Sequence, residues 1–165
     1  ADVNVAGDAS ALVAIEAGTD DVADDYVQDA GEGSDGQLEI SLTGTFDDGS
    51  GNGQGINQDA RTEVDDVFTI TNQGSQPVDI HILLSGSASH SEHIEFTNTN
   101  ARGSSSFLDS DNSMVGDGNG VPSVNPGSQI RVSIVIDTGV KTDDAGLASG
   151  DEILNEITIV ADESS

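Results

Sequence analysis

The chain has 165 residues, enough for one domain with a hydrophobic core, and 31 acidic side chains against four basic ones give it a net charge of −27. This balance argues against nucleic acid as a partner, because phosphate binding needs clustered Lys and Arg. The absence of Cys excludes disulfides and thiolate metal sites. Every apolar run is too short for a membrane span.

The acidic residues are spread along the chain rather than collected in a tail. Such a surface repels itself in dilute buffer, whereas molar salt shortens the Debye length to about 3 Å and screens the repulsion. The charge therefore indicates adaptation to a very salty medium. Disorder is excluded because Val, Ile, Leu and Phe still make up 40 of the 165 residues. Val and Ile far outnumber Leu, which favours an all-β protein.

The N-terminal third of the chain predicts several short strands. Residues 2–6 alternate between polar and apolar side chains, and residues 37–43 show the cleanest alternation in the chain. Residues 10–16 would place Ala11, Val13 and Ile15 on one face of a strand. Residues 18–36 are acidic and glycine-rich and predict a loop with at most one short strand.

The stretch 64–84 is the most informative part of the sequence. Two alternating runs, 67–71 and 78–82, flank Asn72, Gly74 and Pro77, which are typical turn residues. This pattern predicts a hairpin at the centre of an antiparallel sandwich.

Further strands are predicted around residues 94–96, 129–137 and 152–161, and residues 98–126 predict a long irregular insertion. The fold class that follows is all-β, a jelly-roll-like antiparallel β-sandwich of seven to nine strands. The alternation also predicts which side chains form the core or line a groove that accepts a strand. They are Phe68, Ile70, Val78, Ile80, Ile82, Ile130, Val132, Ile134, Ile136, Ile157 and Ile159.

Two places offer weak patterns for a metal. His90, Glu92 and His93 are ligand types that suit zinc or nickel, but residues three apart on an extended segment face opposite sides. Asp109, Asp111 and Asp117 loosely resemble a calcium loop that lacks its usual Gly and its bidentate Glu. The sequence therefore predicts no cofactor, with Ca²⁺ at the second of these places as the alternative.

No catalytic pattern stands out. The chain has no nucleophile elbow, no phosphate-binding loop and no His-Glu-x-x-His helix. Carboxylates this numerous produce chance pairs throughout a surface. We therefore predict that the protein is not an enzyme.

Two segments of the sequence share a pattern with a known family. The first runs from Asp66 through Asn72 and Gly74 to Pro77 and Val78, and the second comprises the two predicted strands after residue 128. Together they resemble the TasA/camelysin-like family of secreted fibre-forming proteins. The likeness covers most of the chain, except residues 18–36 and 98–126. It implies a jelly-roll domain of the kind found in halophilic archaeal members that form bundling pili.

The resemblance implies polymerisation by donor-strand exchange, in which the first strand of one subunit enters the sheet of its neighbour. In this sequence the donor strand would be Asp2, Val3, Asn4, Val5 and Ala6, with Gly7 as the hinge. The division is then residues 1–7 as donor and hinge and residues 8–165 as one sandwich domain. An edge strand offers main-chain hydrogen bonds to such a partner. The alternative is that residues 2–6 form the first strand of their own sheet.

Three functions remain in competition at this point. The first is a structural subunit of an extracellular filament, whose partners are identical subunits in a homopolymer and, beyond them, neighbouring filaments or cell surfaces. The second is a monomeric cell-surface binding module, which could depend on Ca²⁺. The third is a capsid or surface-layer accessory. The first residue is Ala1, which favours a secreted chain after removal of its export signal.

Overall fold

A computed structural model describes residues 2–6, 13–18, 27–29, 38–40, 61–85, 94–99, 115, 120–137 and 156–164. Within these residues the chain forms ten strands and no helix. The strands are β1 (Asp2–Ala6), β2 (Val13–Ala17), β3 (Val27–Asp29), β4 (Leu38–Ile40), β5 (Arg61–Asn72), β6 (Val78–Ser85), β7 (Ile94–Asn98), β8 (Val121–Val124), β9 (Gln129–Asp137) and β10 (Glu156–Glu163). The count exceeds the predicted seven to nine because β8 lies within residues 98–126, for which no strand is predicted.

The strands form two sheets that face each other, so the predicted all-β sandwich is confirmed. One sheet has the order β3-β4-β1-β10-β6-β8 and the other has the order β2-β5-β9-β7. Among the described strands, every ladder is antiparallel except the one between β1 and β10. One hydrophobic cluster lies between the sheets and includes residues from Val3 to Ala161. The jelly-roll form of this sandwich stays a prediction.

The predicted central hairpin is wrong. Strands β5 and β6 are consecutive in sequence but lie in opposite sheets, so residues 73–77 cross from one sheet to the other. Asn72, which is fully buried, holds this crossing. Its Nδ2 donates to the carbonyl oxygens of Gln76 and Val124, both at 2.8 Å, and its Oδ1 accepts from the N–H of Gly74 at 2.9 Å. Alternation shows which face of a strand is buried but not which strand lies beside it, and the prediction failed for that reason.

The stretch 98–126 is not irregular throughout. It contains β8 at one edge of the six-stranded sheet and an isolated bridge between Val115 and Ile82 of β6. Pro122 lies within β8, where the edge position tolerates a residue without an N–H. Most of residues 100–119 lie outside the described residues.

Gly120 allows β8 to approach β6. Its φ is 143°, and a Cβ at this position would lie 2.4 Å from the carbonyl oxygen of Ile80 and 2.9 Å from Cβ of His81. Side chains other than hydrogen do not fit at such distances. A glycine is therefore required where the chain enters β8.

Candidate functional site

Strand β1 lies inside the six-stranded sheet, between β4 and β10, and this place is termed the β1 position. Along β10 it forms a parallel ladder of five residue pairs, from Asp2 with Glu156 to Ala6 with Val160. Among the described ladders, β3 and β4 are joined to the rest of the sheet only through β1. In this sheet, β1 therefore connects β3 and β4 with β10, β6 and β8.

The core continues through the β1 position without a break. Val3 is in register with Ile157 on β10 and with Leu38 on β4. Only about 2% of Val3 is exposed, and its two neighbours are buried as completely. Removing β1 would therefore expose apolar side chains on both flanking strands, which opposes an empty β1 position.

At the first residue pair of β1, repulsion between acidic residues opposes the pairing of β1 with its neighbours. Asp2 is in register with Glu39 on β4 and with Glu156 on β10, so three acidic residues occupy one row across three strands. Like charges on neighbouring strands destabilise a sheet. Ions screen repulsion between like charges, so the strength of this effect should depend on the salt concentration.

The predicted donor residues all lie in this site. Asp2, Val3, Asn4, Val5 and Ala6 make up β1, and they pair with strands of their own chain. This arrangement corresponds to the alternative considered above, in which β1 belongs to its own sheet. The predicted hinge, Gly7, lies outside the described residues.

All eleven predicted core or groove residues are buried. Six of them belong to the four-stranded sheet, and three more lie on β6. Only Ile157 and Ile159 lie on β10, beside β1. Leu38 also lies beside β1, in register with Val3, and was not among the predicted groove residues although the alternation of residues 37–43 marks it as inward-facing.

The end of β10 is fixed by a group of hydrogen bonds termed the Asp79 clamp, formed by Asp79, Ser123 and Ser164. One oxygen of Asp79, Oδ1, accepts from the hydroxyl of Ser164 at 2.5 Å and from the N–H of Ser123 at 2.7 Å. The N–H of Ser164 also donates to the carbonyl oxygen of Pro77 at 3.1 Å. One carboxylate on β6 thus connects β8 with the residue that follows β10.

These bonds affect the ionisation of Asp79. The hydrogen bond from Ser164 is the main cause that holds the pKa of Asp79 below its ordinary value of 3.8, and the N–H of Ser123 acts in the same direction. Ser123 has a φ of 53°, which only a minority of residues other than Gly adopt. The clamp therefore favours the charged form of Asp79.

The four-stranded sheet carries a second polar group around a bulge in β5. The register shifts between Val64 and Phe68, and Ser133 of β9 lies opposite this shift. The Ser133 hydroxyl donates to Oδ1 of Asp65 at 3.1 Å and lies 2.6 Å from Oγ1 of Thr99. These contacts hold the bulge in place.

Two buried oxygens in this region have no hydrogen-bond partner among the described residues, namely Oδ1 of Asp66 and Oγ1 of Thr97. The other oxygen of Asp66 is 3.4 Å from Nη1 of Arg131. Thr97 is only 4% exposed and is in register with Ser133. An unpaired buried hydroxyl destabilises the folded state.

The predicted metal sites stay predictions. Asp109, Asp111 and Asp117 lie outside the described residues, as do His90, Glu92 and His93. Within the described ranges, no group of three or more His, Asp or Glu side chains could hold a metal ion. No helix in the same ranges is long and apolar enough to cross a membrane.

Comparison with known proteins identified no relative of this chain. No protein-family model, no curated protein and no solved structure matches the chain.

Proposed function

We propose that this protein is the structural subunit of an extracellular filament and polymerises head-to-tail by donor-strand exchange. The single observation that carries the proposal is the place of β1, the first strand of this sequence, inside the six-stranded sheet and parallel to β10. A copy of β1 from a neighbouring subunit would regain the same ladder and the same burial of Val3. Exchange of an identical element is a low-cost route to assembly.

Local chain connectivity does little to hold β1 in its own sheet. Its neighbours are β4, more than thirty residues away, and β10, at the other end of the sequence. The next strand, β2, lies in the opposite sheet. No hairpin therefore ties β1 to either neighbour. The same ladder can be formed by β1 of the same chain or of another chain, and the balance between the two depends on the concentration of subunits.

Exchange in one direction produces a filament rather than a closed pair. Each subunit gives its β1 to one neighbour and receives β1 from another, which is a heterologous contact that repeats without closing. Main-chain hydrogen bonds supply the affinity, and the in-register apolar contacts of Val3 with Leu38 and Ile157 supply the register. The protein is thereby proposed to act without catalysis, as a pilin or biofilm-fibre subunit.

The charge of the chain supports the proposed location. A net charge of −27 suits a surface that works in concentrated salt, where like-charged subunits can approach one another. Together with the resemblance to secreted fibre proteins, this favours a protein exported to the surface of a halophilic archaeal cell. Its partners would be identical subunits first, then neighbouring filaments or cell surfaces.

One observation favours a second function. β1 completes its own sheet in this structure, and a chain that is complete in itself has no need of a neighbour. The protein would then be a monomeric cell-surface binding module. The two functions differ in one measurable property, which is whether β1 of one chain lies against β10 of another.

Engineered disulfides distinguish these functions, because the chain has no Cys of its own. Asn4 and Thr158 are in register on β1 and β10. Neighbouring strands lie roughly 4.8 Å apart, within the Cα separation that a disulfide accepts. A mixture of Asn4→Cys chains and Thr158→Cys chains in molar salt should form a covalent dimer on oxidation if strands are exchanged. Each single variant alone measures chance pairing.

A matched control uses a pair that stays within one chain under either function. Leu83 on β6 is in register with Thr158 on the other side of β10. A chain carrying both Leu83→Cys and Thr158→Cys should cross-link internally, and a mixture of the two single variants should not cross-link. Filaments seen by electron microscopy, together with the Asn4–Thr158 dimer, support exchange. If the mixture forms no dimer and a chain carrying both Asn4→Cys and Thr158→Cys cross-links internally, the monomeric module replaces the filament proposal.

A further inference from the structure

Strand β10 is the strand with which β1 forms its parallel ladder. On one side it forms eight residue pairs with β6, and on the other it forms the five pairs with β1. When β1 is absent, β10 becomes an edge strand with a row of unpaired N–H and C=O groups. Its conformation must then be maintained by contacts that do not involve β1.

The Asp79 clamp supplies such contacts. The carboxylate of Asp79 accepts hydrogen bonds from Ser164, directly after β10, and from Ser123 on β8. The N–H of Ser164 is fixed independently by the carbonyl oxygen of Pro77. None of these three bonds includes a residue of β1. The end of β10 is therefore held against β6 and β8 whether or not β1 is present.

Acidic residues lie close together in sequence register beside the clamp. Asp79 is in register with Asp162 on β10, so two acidic residues lie side by side at the end of the sheet. Glu163 follows on β10, and His81 lies two residues further along β6. Like charges at paired positions weaken the pairing of two strands. The hydrogen bonds of Asp79 to Ser164 and Ser123 offset that repulsion.

We propose that Asp79 is a positioning residue for assembly, which keeps β10 in register as the template for a first strand that arrives from a neighbouring copy. This role rests on the proposed function, in which β10 is the strand that accepts β1 from the neighbouring copy. Asp79 acts through β10 and makes no described contact with β1.

The first test measures strand exchange in the full chain. The mixed Asn4→Cys and Thr158→Cys cross-link is followed in the parent background and with Asp79→Ala or Ser164→Ala, at a salt concentration where circular dichroism shows every variant folded. We expect Asp79→Ala to slow mixed-dimer formation by about tenfold, and Ser164→Ala to slow it less because one of the two bonds to Asp79 remains. The matched control is Ser133→Ala, which removes a hydroxyl network from the four-stranded sheet. Equal slowing by Ser133→Ala would overturn the positioning role.

The second test does not depend on assembly. Hydrogen exchange of the full chain, kept monomeric at low concentration, reports the local opening of each strand. With Asp79→Ala, the amides of β10 should exchange faster by about tenfold relative to the parent, while those of β5 and β9 keep their protection. A uniform change across both sheets, or no change in β10, would overturn the proposal.

The two tests separate the possible failures. If the parent chain forms no mixed dimer, donor-strand exchange is rejected regardless of the behaviour of Asp79, and the positioning role falls with it. If the parent forms the dimer and Asp79→Ala forms it at the same rate, exchange stands and the positioning role is rejected. Slower exchange combined with selective loss of protection in β10 supports both.

Discussion

The side-chain amide nitrogen of Asn72, Nδ2, lies 2.8 Å from the carbonyl oxygen of Val124, a residue 52 positions further along the chain. This hydrogen bond joins the end of β5 in one sheet to β8 at the edge of the other. The Asn72 side chain also forms hydrogen bonds to Gly74 and Gln76, in the segment that crosses to the other sheet. Its main-chain carbonyl oxygen accepts from the N–H of Gly127 at 2.7 Å. One buried amide therefore connects both sheets at this end of the sandwich.

Replacing Asn72 with Ala should destabilise the protein strongly. The change leaves the carbonyl oxygens of Gln76 and Val124 and the N–H of Gly74 without their partner. We expect a loss of about 3 kcal/mol in the free energy of unfolding, measured by denaturant titration in molar salt. Gln73→Ala removes an exposed amide from the adjacent position and should change stability by less than about 0.5 kcal/mol. Similar losses in both variants would contradict the role given to Asn72.

Two glycines with positive φ provide a paired test of the approach of β8 to β6. At Gly120 a Cβ would lie 2.4 Å from the carbonyl oxygen of Ile80, whereas at Gly127 nothing lies within 4 Å. Both Ala variants suffer backbone strain, of order 1 to 3 kcal/mol. Gly120→Ala should also displace β8, so its melting temperature should fall clearly below that of Gly127→Ala. Equal melting temperatures would show that the close approach is absent in solution.

Thr97→Val should stabilise the protein. Oγ1 of Thr97 is buried without a hydrogen-bond partner among the described residues, and Val has nearly the same shape without the hydroxyl. Removing an unpaired polar atom should raise the free energy of unfolding by about 1 kcal/mol. Thr97→Ser retains the hydroxyl and loses the methyl group, so it should lower stability. A destabilised Thr97→Val would show that the hydroxyl is bonded in solution.

Salt should stabilise the β1 position through its row of acidic residues. Asp2 is in register with both Glu39 and Glu156, and screening weakens their repulsion. Asp2→Asn should therefore lower the salt concentration needed to protect β1 amides from hydrogen exchange. Glu16→Gln makes the same change of charge on β2, in the opposite sheet, and should leave that concentration nearly unchanged. If both variants lower that salt concentration equally, the effect comes from net charge rather than from the row of acidic residues at Asp2.

The contribution of Asp79 to stability should depend on pH in a defined direction. Its pKa is lowered in the folded protein, mainly by the hydroxyl of Ser164, from an ordinary value of 3.8. The stabilisation is therefore complete above the ordinary pKa and is lost as pH falls through the lower, folded-state pKa. The difference in unfolding free energy between the parent and Asp79→Asn should shrink across that window. In a Ser164→Ala background the difference should depend less on pH, and an unchanged profile would contradict the assigned cause.

Much of the strand pattern could be predicted because burial has a period of two along a strand. Phe68 and Ile70 on β5, and Ile80 and Ile82 on β6, are buried as their alternation indicated. The pattern failed at the bulge in β5, where Val67 and Phe68 are consecutive and both buried. Between Val64 and Phe68, β5 has two more residues than β9, and Val67 is a buried residue added to an alternation that Val64 and Phe68 keep. The sequence does not mark where a partner strand tolerates such an insertion.

The sequence by itself determined the fold class and the inward faces of the longer strands, whereas the salt dependence of so acidic a chain stays a prediction. Only the tertiary structure decided the neighbours of each strand: β5 and β6 lie in opposite sheets, and β1 lies between β4 and β10. Side-chain alternation is a local property of a strand, whereas pairing joins residues far apart in sequence. The pairing is set by the packing of the whole core and by buried polar groups such as Asn72.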